Sequence, residues 1–585
     1  MTVESGGGSV AQGQEFRAAV RTEVRAYVGV LVVRYVPVLL GVLALVLLVV
    51  VVPDGRQPGG AGVSANTTNN NGGSADTNGG SSDGGAVGSS VTAGKSPVTG
   101  TPGVGRPSGS AGPGGGIATQ APVATAGEGI AVSGVKCGPG VRQFSWSPYG
   151  PFCVGRWSGN NGGSTANGVT ATTITLVLRK TSDYDPLAQS TGTPSFEQIA
   201  HDEEVLVGFF NRQYELYGRH VVVKTFNGVG SLTEEAGNQD QAGASADAQT
   251  AHDMGGFVDG FHAFGTYADA ESSRHIINVG PNSLASYKAD FPYHFGEPVS
   301  VVEDTAGAGM ASMACQRMAH MPAIFAGDAT DHAMTRTFAV IEPEQPEDAG
   351  GANVLVRQMQ SKCGVSVKKI QYNLDVSTEA GTAAQIDAQL KAANITTVMM
   401  LTDPLMPIFM TQAAARQQYQ PEWVYYAGSP PLARDADASE MAHSITLNAW
   451  DNLDKSPDNR MCHRIYKLAD PTGTPQSESQ LDIYCSILLT VFGTLQQAGP
   501  NLTPQTFASA WFHQPDSNGG GDFGHWSYGT DQWSPDSTFS LWSWNGQAHN
   551  PYDGGTGTFV RCADNADYTY LNPSLGSGQL HCLGN

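Results

Sequence analysis

Apolar residues along this chain recur with two different periods. From about residue 165 onward, short apolar runs alternate with stretches in which apolar side chains return every three or four positions, the signature of strands alternating with helices. "GVTATTITLVLRK" predicts a first strand over Thr173 to Leu178. Phe196, Ile199, Leu206, Phe210, Tyr214 and Tyr217 follow at helical spacing. Ser195 and Gln198 form a capping box at the start of that helix, and Gly218 predicts its end. "RHVVVKTF" predicts the second strand, and "GFVDGF" and "HIINVG" two more, each behind a helical stretch. A second series opens with "TFAVIE" (337–342) and runs through a helix to Gln360, the strand "VSVKKI" and a helix around Ile386 and Leu390.

Residues 396–428, "TTVMMLTDPLMPIFMTQAAARQQYQPEWVYYAG", form the clearest unit. Thr396 to Leu401 suits a strand buried on both faces, and Trp423 to Ala427 suits the next one. Between them Ile408, Phe409, Met410, Ala413 and Ala414 supply the inner face of a helix, and Pro421 blocks its continuation. Asp403 is placed to cap that helix and Pro404 to occupy its first position. This is a βαβ unit with parallel strands and a right-handed crossover. "SITLNAW" (444–450), helices over Met461 to Leu468 and Leu481 to Gln497, and the strand "FSLWSW" (539–544) complete the pattern. Two successive blocks of alternating strands and helices predict an α/β protein with two doubly wound lobes.

The first 135 residues read differently. Val36 to Val52 carry no charge, and the apolar run extends back to Tyr27 if Arg34 snorkels, which predicts one transmembrane helix over 27–52. Arg17, Arg21, Arg25 and Arg34 precede the uncharged run, so the segment 1–26 is expected in the cytoplasm and the bulk of the chain outside the cell membrane. "PDGRQPGG" after the run offers no convincing cleavage site, which favours an anchor over a signal peptide. Residues 53–135, rich in Gly, Ser, Asn and Thr, are expected to form a disordered linker with a reach of roughly 50 Å.

Composition then narrows the function. A formal charge of −22 leaves nothing to neutralise phosphates, which excludes a nucleic-acid partner. All eight cysteines, Cys137, Cys153, Cys315, Cys363, Cys462, Cys485, Cys562 and Cys582, fall on the expected outer side. An even count there predicts disulfides. Consecutive helices carry Cys462 and Cys485, and Cys315 and Cys363 flank one strand–helix unit, so local pairs 137–153, 315–363, 462–485 and 562–582 are expected. Residues 136–164 then form a stapled prelude. No C-x-x-C, H-E-x-x-H, EF-hand loop or G-x-S-x-G elbow occurs, so neither a cofactor nor a metal is expected, and no catalytic residue is assigned.

The strands and helices in "GVTATTITLVL", "FFNRQYELYGRHVVVKTFNG" and residues 396–428 resemble the type I periplasmic substrate-binding proteins, in particular the leucine/branched-chain amino-acid branch that serves ABC transporters. The resemblance covers about 165–545. It implies two α/β lobes joined by three crossover segments with a ligand cleft between them. Lobe one would comprise 165–300 plus 445–510, lobe two 301–444 plus 511–560, and 561–585 a C-terminal tail. Ligands meet open α/β sheets at the carboxyl ends of strands. Those positions are Ser182, Asp183, His262, Phe264, Asn282 and Ser283 in lobe one, and Glu342, Asp403 and Ser429 in lobe two. Asp403 has two readings, a partner for a ligand's ammonium group and a plain helix cap. "EPEQPEDAGG" at Glu342 departs from the family's short acidic-aromatic turn.

The expected function is a membrane-tethered extracytoplasmic receptor for a small amino-acid-like or related polar solute, working with an ABC permease and ATPase and not as an enzyme. The alternatives are a ligand-sensing ectodomain without a transport role and, more remotely, an extracellular enzyme.

Overall fold

The computed structural model describes residues 127–585, apart from 192, 261, 262, 264, 346, 347, 518–520, 564, 565, 572, 577 and 583–585. The expected cytoplasmic segment, the anchor over 27–52 and the linker up to 126 lie outside the described residues. Among the described residues, no helix is long and apolar enough to cross a membrane.

Strands β1 (Thr173–Lys180), β2 (His220–Asn227), β3 (Val258–Asp259), β4 (Asn278–Val279) and β5 (His294–Phe295) belong to the first lobe. They pair in parallel in the order β2-β1-β3, and a bridge from Val258 to Ile277 carries the order on to β4 and β5. "GFVDGF" and "HIINVG" contribute only two residues each to regular strands. The helix Phe196–Phe210 has the expected capping box between Ser195 and Gln198. It ends at Phe210, seven residues before the periodicity ran out. The cause is tertiary: the Asn211 side chain turns away to bond both backbone groups of Val221 on the edge strand β2. Tyr214 and Tyr217 still reach the core, through bonds to the backbone of the helix Glu478–Ala498.

The second lobe is built on β6 (Phe338–Pro343), β7 (Val367–Tyr372), β8 (Thr397–Met400), β9 (Glu422–Tyr426), β10 (Ser444–Asn448), β11 (Thr538–His549), β12 (Thr556–Arg561) and β13 (Tyr568–Thr569). Their order is β12-β11-β10-β9-β8-β6-β7, parallel from β10 to β7 and antiparallel at β11 and β12, with β13 on β11. Val398 and Met400 bury on one face of β8 and Met399 on the other, which is why that strand is apolar throughout. β10 pairs with β9, so residues 444–448 lie in the second sheet rather than opening the return to lobe one. The helices Met461–Ala469, Glu478–Ala498 and Pro504–Phe512 pack in the first core, together with Phe523, Trp526 and Trp533.

The chain thus passes between the lobes three times, near residues 296–302, 449–460 and 523–537. The passages are tied together. Ser534 donates its hydroxyl to the carbonyls of Glu297 and Ser300, and Asp451 N–H reaches Asp522 O at 2.8 Å. Tyr426 of β9 accepts from Val301 N–H at 2.6 Å, fixing the first passage to lobe two.

Periodicity gave no warning of the helix Glu303–Arg317, whose inner residues are Ala, Gly, Ser and Met. Small residues carry no stripe, but they let backbones approach: a Cβ on Gly307 would lie 2.1 Å from the carbonyl of Gly351 on the facing helix Gly351–Cys363. The disulfide Cys315–Cys363 joins these two helices. The other bridges are Cys137–Cys153, Cys462–Cys485 and Cys562–Cys582, so all four pairs are local. The tail beyond 561 covers the second lobe, with Cys562, Tyr568, Tyr570, Leu575 and Leu580 in its core.

Candidate functional site

Carboxyl ends of parallel strands point their loops at the same edge of a sheet, which is where ligands meet open α/β sheets. In lobe one, β1 runs straight into Ser182 and Asp183. Ser182 donates its hydroxyl to Gly230 O at 3.0 Å. Asp183 accepts from Leu232 N–H, Thr233 N–H and the hydroxyls of Ser231 and Thr233, all at 2.8–3.0 Å. Burial acts to raise its pKa, but those four donors outweigh it and hold the carboxyl at about 2. Both residues therefore secure the loop after β2. Asn282 and Ser283 are joined by a bond from Ser283 N–H, and Ser283 caps the helix Leu284–Ala289 by accepting from Ser286 N–H. His262 and Phe264 lie outside the described residues.

Deeper in lobe one, Arg179 forms a bidentate pair with Glu235 at 2.6 and 2.8 Å and meets Asp247 at 3.1 Å. Its guanidinium carbon lies 3.4 Å from the centroid of the Tyr267 ring. This buried cluster ties β1 to three helices. The lone arginine at the end of an apolar strand was its only trace in the sequence.

Lobe two shows the same habit. Glu342 is fully buried and accepts from Gly350 N–H and Ala352 N–H at 3.0 and 2.7 Å, with Lys369 3.3 Å away. It anchors the start of the helix Gly351–Cys363. Asp403 accepts from Leu405 N–H and Met406 N–H at 2.8 and 3.1 Å and from the hydroxyl of Tyr372. The helix that follows starts at Met406, with Pro407 rather than Pro404 in its first turn. Asp403 thus caps the turn that enters the helix, and the helix itself begins two residues later than the periodicity placed it. Ser429 stands at the N-cap of Pro430–Ala433 with no capping hydrogen bond from its side chain.

Two further residues belong to this edge. Tyr372 is the last residue of β7, and Glu379 opens the helix Glu379–Ala392. Glu379 is fully buried beside Asp403, and burial, then the Asp403 charge, push its carboxyl far above the usual range. Strand-end reasoning reaches Tyr372 once β7 is extended by two residues. Nothing local marks Glu379.

The edges meet directly. Ala236 of lobe one packs against the lobe-two cluster that contains Tyr372 and Leu374, and the neighbouring Gly237 lies against the Leu374 carbonyl. Two surface grooves, of ≈ 310 and ≈ 510 Å³, are each lined by one lobe alone and lie outside this junction. Among the described residues, no group of three or more His, Cys, Asp or Glu side chains could hold a metal ion.

No family model matches the chain, and no curated protein is similar to it in sequence. Among solved structures it is similar to a fatty acid ABC transporter substrate-binding protein from Thermomonospora curvata, 13% identical over 69% of this chain and 95% of that one, with a TM-score of 0.48. It is also similar to a leucine-, isoleucine-, valine-, threonine- and alanine-binding protein from Brucella ovis in a closed conformation, 13% identical over 70% and 97%, TM-score 0.49. A leucine-binding protein from Thermotoga maritima is 10% identical over 68% and 100%, TM-score 0.46. The strand orders and the three passages between lobes agree with the two doubly wound lobes that the apolar pattern predicted.

Proposed function

We propose that this protein is an extracytoplasmic solute receptor that holds a small polar, amino-acid-like molecule between its two lobes. The observation that supports this reading is a pair of lobes built on parallel strands, joined by three passages of chain, whose strand-end loops meet at Ala236, Gly237 and Leu374. The anchor over 27–52, a cytoplasmic N-terminus and delivery to an ABC permease and its ATPase are parts of the same proposal. Four disulfides support an oxidising, outer location for the folded part.

Of the candidate contacts, Ser429 and Asp403 come first. Both are half-buried at strand ends, and the Ser429 hydroxyl has no capping duty. Glu342 is fully buried beneath its helix and serves the fold.

A thermal-shift screen of the purified chain against amino acids, amides, sugars and nucleosides tests the reading. A true ligand at 100 times its Kd adds about 2.7 kcal/mol of stability. Turnover of a stabilising compound would point to an enzyme instead. Protease added to intact cells should release the folded part by cutting between the anchor and Cys137, and full protection until lysis would overturn the topology.

A further inference from the structure

The loop after β2 makes an odd use of glycine. Gly237 ends the short helix Leu232–Ala236 with φ −86°, a conformation any residue adopts. Within its own lobe a Cβ there would find only ordinary contacts, at 3.5 Å from Glu234 O and 3.7 Å from the Gln239 amide. What it would strike is in the other lobe: the carbonyl of Leu374, 2.6 Å away. Neither backbone conformation nor local packing calls for glycine here. The approach of lobe two does.

Both sides of this contact are held rigidly. On lobe one, Asp183 grips Leu232 and Thr233, and the Thr266 hydroxyl reaches the carbonyls of Glu235 and Gln239 at 3.2 and 3.1 Å. Asp240, in the left-handed region at φ 46°, closes the loop by accepting from Ser231 N–H. On lobe two, Leu374 donates to Gln345 Oε1 at 3.1 Å, and Gln345 also bonds Asn373. Between the two rigid pieces lie the Ala236 methyl, packed against the apolar cluster around Tyr372 and Leu374, and the bare glycine. A contact built on one small side chain and a glycine buries little apolar area, so it joins the lobes without cementing them.

We infer that residues 231–240 form a catch that seats on the Leu374 loop and holds the lobes together, and that glycine at 237 is what lets it engage. The inference rests on the two-lobed fold and not on the class of solute. Hinged lobes swing about a few connecting segments, and a weak contact between them sets how much of the population is closed.

The test is hydrogen exchange on the full chain without added solute, comparing Gly237→Val, Ala236→Asp and the control Val229→Asp. Val229 lies on the same connection but is 66% exposed. Gly237→Val adds bulk against the Leu374 carbonyl, and Ala236→Asp places a charge at the half-buried position packed against the apolar cluster of lobe two. Both should speed exchange at 372–378 by about tenfold while β1 and β6 keep their protection. The control should change nothing at 372–378. Unaltered exchange at 372–378 in both variants overturns the catch. So does faster exchange spread through β1 and β6, because the contact would then be a structural prop. Either failure leaves the solute-binding proposal standing, since no solute enters the measurement.

Discussion

A carboxylate at the end of a strand can serve a ligand or its own backbone, and in this protein the backbone takes most of them. Asp183 and Glu342 fill their acceptor capacity with donors from neighbouring loops and helix starts. Asp403 is the instructive case, because its Oδ1 caps the entry to Met406–Gln417 while its Oδ2 receives Tyr372. Asp403→Ala should lower stability by about 1 kcal/mol, seen as an earlier urea midpoint at unchanged slope. Asp403→Asn keeps the Oδ1 acceptor and should cost much less. A null effect of the alanine variant would remove the capping role. Once a solute is identified, Asp403→Asn separates the two readings of the residue. A lost partner for a buried cation costs about 2–5 kcal/mol of affinity, and a mere cap costs none.

Elements in this chain are fastened by bonds that periodicity does not encode. Glu422, the first residue of β9, is fully buried and accepts from Nε and Nη2 of Arg336 at 2.6 and 2.8 Å and from Thr397 Oγ1 at 2.7 Å. It thereby pins β9 to the loop before β6 and to β8. Arg336→Met strands that carboxylate in the core, and a loss of about 3–5 kcal/mol is expected on chemical unfolding. Replacing Arg336 and Glu422 together by apolar residues should recover much of it. The helix pair Met461–Ala469 and Glu478–Ala498 is held by Cys462–Cys485, 23 residues apart. Replacing both cysteines by serine should cost about 3 kcal/mol in the chain-entropy model, and non-reducing peptide mapping should return the four local pairs.

At the scale of the whole molecule, several carboxyls are buried where water cannot stabilise their charge. Burial, then Glu440, pushes Asp387 up to about 8; burial pushes Glu440 itself up to about 7 against a bond from Trp423; Glu379 shifts the same way. In the unfolded chain these groups lose their protons near pH 4. Between there and about pH 8 the folded state binds more protons than the unfolded one, so stability from these groups is full below pH 4 and falls as pH rises. Asp183 acts in the opposite sense: its contribution is present above pH 4 and lost as pH drops toward 2. Melting temperature should therefore decline from mildly acid to mildly alkaline pH. Asp387→Asn should flatten that decline, and an unchanged slope would show that the residue ionises freely in the fold.

Sequence alone determined what short-range physics controls. Alternating apolar periods gave two α/β blocks, Ser195 and Gln198 gave a helix start to the residue, and cysteines close along the chain gave local bridges. These depend on neighbours within a few turns. Only the tertiary structure decided the rest. It trimmed the helix Phe196–Phe210 because Asn211 was needed 10 residues away. It drew "SITLN" into the second sheet because β9 and β11 offered backbone partners on both sides. It gave Asp183 partners up to 50 residues distant, and Asp403 one 31 residues away. Whether a carboxylate faces a ligand or a neighbouring loop, and whether a glycine serves its own turn or the opposite lobe, depends on which distant surfaces fold against it. No local pattern carries that information.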